Sequence, residues 1–293
     1  MHRYLLHNDR LIEATSHVLS PGQVGLLSGW GVFSTMRIAQ GVPFAYERHY
    51  ERMRRDAAKL RVPFPADAKH MREQLIALVQ KNEAWEATLR VCVVRNRGGL
   101  WEGPANTTDY DVIAFTTGLG HWPEEVRLGM KPAGRYAQSE FAGVKVLAWA
   151  QNLAWYEEAH DRGLDEMLLL NERGEVSECT SANIFAVFGQ TACTPPLSSG
   201  CLPGVTRALL LSEAKTAGIR VCEKPLSPAD LETADQIFIT STTRDVLPVA
   251  SIEGLKVRNT GTVALELRRA MEQYRTRYID EHAATALTSS GGR

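Results

Sequence analysis

The sequence predicts an α/β (α+β) protein of two domains, and three observations carry that expectation. Runs rich in Val, Ile, Phe and Thr alternate with amphipathic helical stretches along the whole chain, with no internal repeat of fixed period. The chain has 293 residues, 44% of them hydrophobic, which lies near the size at which one core divides into two. After Thr117 the apolar pattern breaks at GLGHWPEE, where Gly, Pro and charge gather. The boundary is placed there, giving a smaller N-terminal domain over 1–118, a linker over 119–127 and a larger C-terminal domain over 128–293.

The elements follow from local chemistry. YLLHND and RLIEA read as a hairpin, and VFSTMRIAQGVPFAY as a second one turning at Gln40 and Gly41. Glu47 to Leu60 is a charged amphipathic helix that stops before Pro63, and another helix lies around Met71 to Lys81. TLRVCVVR and DYDVIAFTT are strongly β-prone and flank the Gly-rich loop RGGLWEGP. The apolar pattern resumes in the second half with Val126 to Pro132, and a helix runs from about Leu147 to Arg162. EMLLLN and EVSE form a hairpin around Glu172 to Gly174, and NIFAVF is a further strand. LPGVTRALLLSEAKTAG reads as a helix with Pro203 in its first turn and Gly218 as its stop. In SPADLETA, Ser227 is the expected N-cap and Pro228 the first helical residue. QIFIT leads into the polar loop STTRD, and a last helix runs from about Val263 to Glu281, before a small, polar tail, ALTSSGGR, expected to fray.

Charge and cysteine content exclude several function classes. Net charge is -1 with basic residues spread through the chain, so no footprint for nucleic acid is present. The five cysteines show no CXXC pair and no metal-ligand rhythm with histidine, which fits thiols in a reducing compartment and predicts no metal. No run of about 18 apolar residues occurs and the N-terminus lacks the apolar core of a signal peptide, so a cytoplasmic protein off the membrane is expected.

Several stretches carry chemistry. At LPGVTR the first amides of a helix have no intrahelical partner, so Gly204, Val205 and Thr206 form a candidate anion site. Ser241, Thr242 and Thr243 offer hydroxyls just beyond a strand end. His49 and Arg52 share one helix face, and an arginine supplies a forked pair of donors to a phosphate. Lys145 in FAGVKVLAW is flanked by small and apolar residues; burial would depress its pKa and make the amine nucleophilic toward aldehydes. Glu178 in SECTSANIF is a carboxylate entering an apolar strand. A lysine that condenses with an aldehyde and a carboxylate that pairs with a ring nitrogen are the two protein groups that pyridoxal phosphate chemistry requires.

The run Glu178-Cys179-Thr180-Ser181-Ala182-Asn183-Ile184-Phe185, then Thr194-Pro195, then Leu202-Pro203-Gly204-Val205-Thr206-Arg207, resembles the signature of the class IV (fold-type IV) pyridoxal phosphate-dependent aminotransferases. That family includes branched-chain and D-amino-acid aminotransferases and aminodeoxychorismate lyase. Similarity runs from VFSTMR through HYERM to ADQIFITSTTRDVLPV, and Ala192 departs from it where the signature usually has a larger aliphatic. The resemblance implies two α/β domains with the cofactor in the cleft between them, and a homodimer or higher oligomer. It implies a Schiff base on Lys145, the ring nitrogen on Glu178, and the phosphate on Arg52, Val205, Thr206 and Thr242, joined by Thr243.

For the substrate, an amino acid of branched-chain or other aliphatic type with a 2-oxo acid is the expectation. Branched-chain enzymes typically read VFEGIR where this chain has Val32 to Arg37, and place a tyrosine where it has Ala150. The FSTMR form is similar to lyases and D-amino-acid enzymes, in which a threonine near the Thr35 position lies close to the cofactor. A 4-amino-4-deoxychorismate lyase and a D-amino-acid or (R)-amine transaminase are therefore the alternatives. Arg95 and Arg97 are the candidates for a substrate carboxylate, and Trp30 and Phe33 for pocket walls.

Overall fold

The computed structural model describes every residue except Val18, Pro21, 100–107 and 289–293. From Leu100 onward, most of the expected RGGLWEGP loop lies outside the described residues, as does the end of the ALTSSGGR tail. The chain divides into two compact units.

Unit 1 comprises Met1–Gly120, Val144–Trp149 and Arg275–Arg293. Its elements are β1 (Tyr4–His7), β2 (Arg10–Glu13), α1 (Val24–Ser28), β3 (Gly31–Ala39), β4 (Val42–Pro43), α2 (Tyr46–Lys59), α3 (Ala68–Lys81), β5 (Ala87–Arg95) and β6 (Tyr110–Gly118). The strands form one antiparallel sheet in the order β2-β1-β6-β5-β3-β4. Both expected hairpins are present; Gln40 and Gly41 take the positive φ angles (49° and 79°) that a two-residue turn between twisted strands requires. Asp67 caps α3 by accepting from the His70 amide at 2.9 Å, so that helix begins a turn earlier than the periodicity indicates.

Strand alternation sorts the sheet's two faces. Val32, Met36 and Ile38 of β3 join Leu89, Val91 and Val93 of β5 and Val112 and Ala114 of β6 in one core with Met53, Ala57, Leu75 and Leu78 of the helices. Each large aliphatic side chain buried there contributes on the order of 1.5–3 kcal/mol. The opposite face carries Phe33, Thr35 and Arg37 beside Cys92, Arg90 and Thr88, their register partners on β5.

Residues 144–149 extend this sheet locally. Val146 bridges Val32, the Phe33 amide donates to the Lys145 carbonyl at 3.1 Å, and the Leu147 amide donates to the Gly31 carbonyl at 2.9 Å. The expected helix from Leu147 is thereby corrected: α4 spans Ala150–Asp161, because tertiary pairing claims the backbone of Leu147 first. Gly31 is required by close approach, since a Cβ there would lie 2.4 Å from both Leu147 Cδ1 and the Val93 carbonyl.

Unit 2 comprises His121–Gly143 and Ala150–Tyr274. Besides α4 it holds β7 (Val126–Arg135), β8 (Glu166–Asn171), β9 (Val176–Cys179), β10 (Asn183–Phe188), β11 (Thr191–Thr194), α5 (Val205–Ser212), β12 (Arg220–Glu223), α6 (Pro228–Thr233), β13 (Gln236–Ser241) and β14 (Asp245–Ile252). The eight strands run in the order β12-β11-β10-β13-β14-β7-β8-β9, parallel at β12/β11, β14/β7 and β7/β8 and antiparallel elsewhere. Ile184, Ala186, Ile237, Ile239, Leu247, Val249, Leu128 and Leu168 build its core. Ser227 caps α6 and Pro228 opens it, as SPADLETA predicts, and Asp230 completes a capping box with Ser227. The expected helix from Pro203 to Gly218 is shorter than predicted. Gly204, in extended conformation, is its N-cap, and the helix ends at Ser212, whose hydroxyl donates back to the Ala208 carbonyl at 2.8 Å. Gly218 instead sits in the turn before β12. The last helix, α7 (Val263–Thr288), begins in unit 2 and passes into unit 1 from Arg275 onward.

Candidate active site

In unit 1 the candidate lysine is fixed by its main chain. Its amide donates to Asp56 Oδ2 at 3.0 Å and its carbonyl accepts from Phe33. The side chain is half-buried, not enclosed as the apolar neighbours suggested. Its Nζ lies 4.5 Å from the Phe33 ring centre and 5.6 Å from that of Trp149, and the Arg90 guanidinium lies 4.0 Å from the same Phe33 centre. Phe33, Thr35, Arg90 and Lys145 therefore belong to one neighbourhood, set by the alternation of β3 and β5.

Ser34, on the helix side of β3, organises a second group. Its Oγ accepts from Arg52 Nη2 at 2.7 Å and shares a hydrogen with His49 Nδ1 at 2.7 Å. Arg52 and His49 are both buried, and Arg52 Nε and His49 Nε2 have no hydrogen-bond partner among the described residues. Burial, opposed by Asp56, pulls the Arg52 pKa down to about 10. Burial, followed by the charges of Arg52 and Lys145, holds His49 well below its usual 6.5, so the imidazole is neutral. A buried arginine with a spare donor is the kind of group an anion would complete.

The other arginine candidates are engaged differently. Arg95 donates to the Arg97 carbonyl at 2.6 Å and to the Arg61 carbonyl, and lies 4.2 Å from the Trp30 ring centre. Trp30 Nε1 in turn donates to the Leu60 carbonyl at 2.8 Å. Arg97 faces Asp109 at 3.4 Å and is 47% exposed.

In unit 2, Glu178 is 7% exposed and has a partner for each oxygen. Oε1 accepts from Arg135 Nε at 2.8 Å and Oε2 from the Leu202 amide at 3.0 Å. Leu202 is also tied through its carbonyl, which accepts from Asn183 Nδ2 at 2.8 Å. At Gly204 a Cβ would lie 2.0 Å from Asn183 Oδ1, so only glycine lets the start of α5 approach the SANIF strand. Val205 and Thr206 follow as the buried first residues of that eight-residue helix, whose leading amides point outward. Ser241, Thr242 and Thr243 form the half-buried turn between β13 and β14. Arg244, next in sequence, anchors this turn: it pairs with Glu166 at 3.0 Å and donates to Ser181 Oγ at 2.8 Å. Burial raises the Glu166 pKa, with Arg244 and Ser181 pulling it back.

Sequence reasoning missed Arg90, Ser34, Asp56, Arg135 and Asn183. Arg90 alone had a visible signal, because Leu89, Val91 and Val93 point one way and leave it on the opposite face.

Each group is of a kind that pyridoxal phosphate chemistry uses: within unit 1 an amine on a fixed main chain and a buried guanidinium with an unused N–H, and within unit 2 a buried carboxylate and a glycine-opened helix start. The chain matches the family described as "Amino-transferase class IV" over residues 31–252, more than half its length, and belongs to that family. It is a transaminase dependent on pyridoxal phosphate, as that class is. The branched-chain-amino-acid aminotransferase of Salmonella typhimurium is 28% identical over 282 residues, spanning 87% of this chain and 86% of the relative. The D-alanine aminotransferase of Bacillus licheniformis is 26% identical over 254 residues, spanning 85% and 88%. The solved structure of the branched-chain amino acid aminotransferase from Escherichia coli superposes with a TM-score of 0.85 at 25% identity, covering 95% of this chain and 96% of that one. The fold is accordingly fold-type IV. Among the described residues no helix is long and apolar enough to cross a membrane.

Proposed function

We propose that this transaminase moves an amino group between an aliphatic amino acid of branched-chain type and a 2-oxo acid, with Lys145 as the residue that bonds the cofactor. The supporting observation is the grouping of Lys145 Nζ and the Arg90 guanidinium on one aromatic ring, that of Phe33. An amine and a forked cation flanking an apolar ring suit a substrate with a carboxylate at one end and a hydrocarbon side chain at the other. Likeness to branched-chain enzymes over most of the chain supports the same substrate class.

In this reading Glu178 holds the ring nitrogen, with Arg135 and the Leu202 amide fixing its orientation. Arg52 binds the phosphate, together with the amides of Val205 and Thr206 and the hydroxyls of Ser241, Thr242 and Thr243, while Gly204, whose own amide donates to the Leu202 carbonyl at 2.8 Å, allows close approach. When bound, pyridoxal phosphate supplies a ring that takes up the electrons left as the substrate α-carbon loses its proton. The Lys145 amine moves that proton, and its half-buried setting beside Phe33 and Trp149 limits water around it. Arg90 orients the carboxylate and Thr35 lies beside it, while Arg95, Arg97 and Trp30 shape the rim. A homodimer belongs to this reading, and exposed Leu26 and Leu27 on α1 offer apolar surface for it.

The test mixes cofactor-loaded protein with single L- and D-amino acids, without any oxo acid, and follows the cofactor spectrum. Conversion by L-leucine, L-valine or L-isoleucine supports the proposal. Conversion by D-alanine alone, or none with any amino acid but release of 4-aminobenzoate from aminodeoxychorismate, replaces it. Lys145→Ala should lose both the lysine-bound spectrum and turnover; retained turnover would remove Lys145 from its role.

A further inference from the structure

β11 and β12 are parallel neighbours whose register sets Cys193 directly beside Cys222. The two sulfurs are 3.6 Å apart, and among the described residues no other pair of cysteines comes within hydrogen-bonding distance. Cys193 belongs to the core of unit 2, whereas Cys222 is half-buried on β12, which ends the sheet. Adjacent strands lie about 4.7–4.9 Å apart, inside the window of roughly 4.4–6.8 Å between Cα atoms that a disulfide spans. Closing the remaining sulfur gap therefore requires side-chain rotation and no slip of register.

We propose that Cys193 and Cys222 form a redox-active dithiol, which a hydroperoxide converts to an intramolecular disulfide joining β11 to β12. The edge position makes Cys222 the sulfur that meets the oxidant. Its thiolate attacks the peroxide O–O bond, becoming a sulfenic acid and releasing water or an alcohol. The Cys193 thiol then attacks that sulfur, the S–O bond breaks, and a second water leaves as the S–S bond forms. Two electrons pass from the two thiols to the peroxide, and a dithiol reductant returns them. Burial and the neighbouring Cys222 push the Cys193 pKa up to about 11, which agrees with Cys193 acting second.

The same strands steady the start of α5. Arg207 donates to the Pro195 carbonyl at 2.8 Å, two residues after Cys193, and pairs with Glu223, next to Cys222. The cross-link would fix both anchors of that arginine at once.

The test uses the full-length, cofactor-loaded protein, fully reduced, then exposed to hydrogen peroxide, alkylated after denaturation and measured by intact mass and peptide mapping. The expected product is lighter by two hydrogen atoms, has lost two of its five alkylatable thiols, and yields one linked peptide pair containing Cys193 and Cys222. A dithiol reductant restores all five. In Cys222→Ser the remaining thiols stay reduced; in Cys193→Ser, Cys222 is driven to sulfinic acid. Five alkylatable thiols after treatment, oxidation of Cys222 without a cross-link, or a link between other cysteines overturns the proposal, and the wild-type measurement decides this whether or not either variant folds.

Discussion

Replacing Gly204 with alanine adds one methyl group at a point where the chain has no room for it. The new Cβ would meet Asn183 Oδ1 at 2.0 Å and Cγ at 3.2 Å, so the asparagine side chain must turn away. Doing so breaks its 2.8 Å bond to the Leu202 carbonyl. Overpacking in a tight interior costs about 1–3 kcal/mol, and the lost bond adds about 1 kcal/mol. Gly204→Ala should thus destabilise the protein by about 2–4 kcal/mol. Asn183→Ala alone removes that bond while the Leu202 carbonyl keeps the Gly204 amide as a donor, at roughly 0.5–1.5 kcal/mol. In the double variant the methyl group meets no asparagine and the shared bond is lost only once, so the combined loss should fall short of the sum of the two by about 2–4 kcal/mol. Denaturant unfolding of the wild type, both single variants and the double variant measures this directly. Because Leu202 also donates to Glu178, the same series should show weakened cofactor binding in Gly204→Ala and partial recovery in the double variant. Strictly additive losses, within about 0.5 kcal/mol, would refute the close approach as the reason for glycine.

Two other outcomes separate alternatives. Arg90→Ala should lower kcat/KM by about ten- to a hundredfold, the loss of a charged hydrogen bond to a substrate carboxylate, mostly through KM. Arg95→Ala should stay within about threefold, since its guanidinium is already engaged with two backbone carbonyls and Trp30; the reverse order would restore Arg95 as the carboxylate partner. For His49, the unfolded chain takes up a proton near 6.5 that the buried, neutral imidazole refuses. Stability is therefore complete above that pH and falls as pH drops below it, by about 1.4 kcal/mol per pH unit from this one site. His49→Gln should flatten the acid limb of a stability–pH curve by that slope; an unchanged limb would mean that His49 protonates within the fold.

Much of the architecture is legible in the sequence because local rules and tertiary structure agree there. The turn at Gln40-Gly41, the charged face of α2 and the Ser227-Pro228 start of α6 each have one favourable conformation, and each is adopted. The strands β11 and β12 escape notice because TACT and RVCE are four residues long and carry no alternation; sheet pairing alone makes them strands. VKVLAWAQNL reads as helix from Leu147 because its apolar spacing suits one, yet an extended partner takes its first residues. Among the candidate residues, Lys145 and Glu178 stand out as charges within apolar stretches of sequence. Arg95 and Arg97 are candidates by residue type, whereas the alternation of β5 sets Arg90 on the face that carries Phe33 and Thr35. The bond from Ser34 to both His49 and Arg52 depends on how a helix packs on a sheet, which no local pattern encodes.

Lys145 is held on both sides of its α-carbon, by Asp56 at its amide nitrogen and by Phe33 at its carbonyl oxygen. The chain thus mounts its amine on an immobile post, and all freedom lies in the four-carbon stem. In the role proposed for Lys145, an amine on such a tether samples a small volume at an effective concentration far above that of any free amine. Most of the entropy of positioning it was spent when the protein folded, and moving it need only rotate a few methylene bonds.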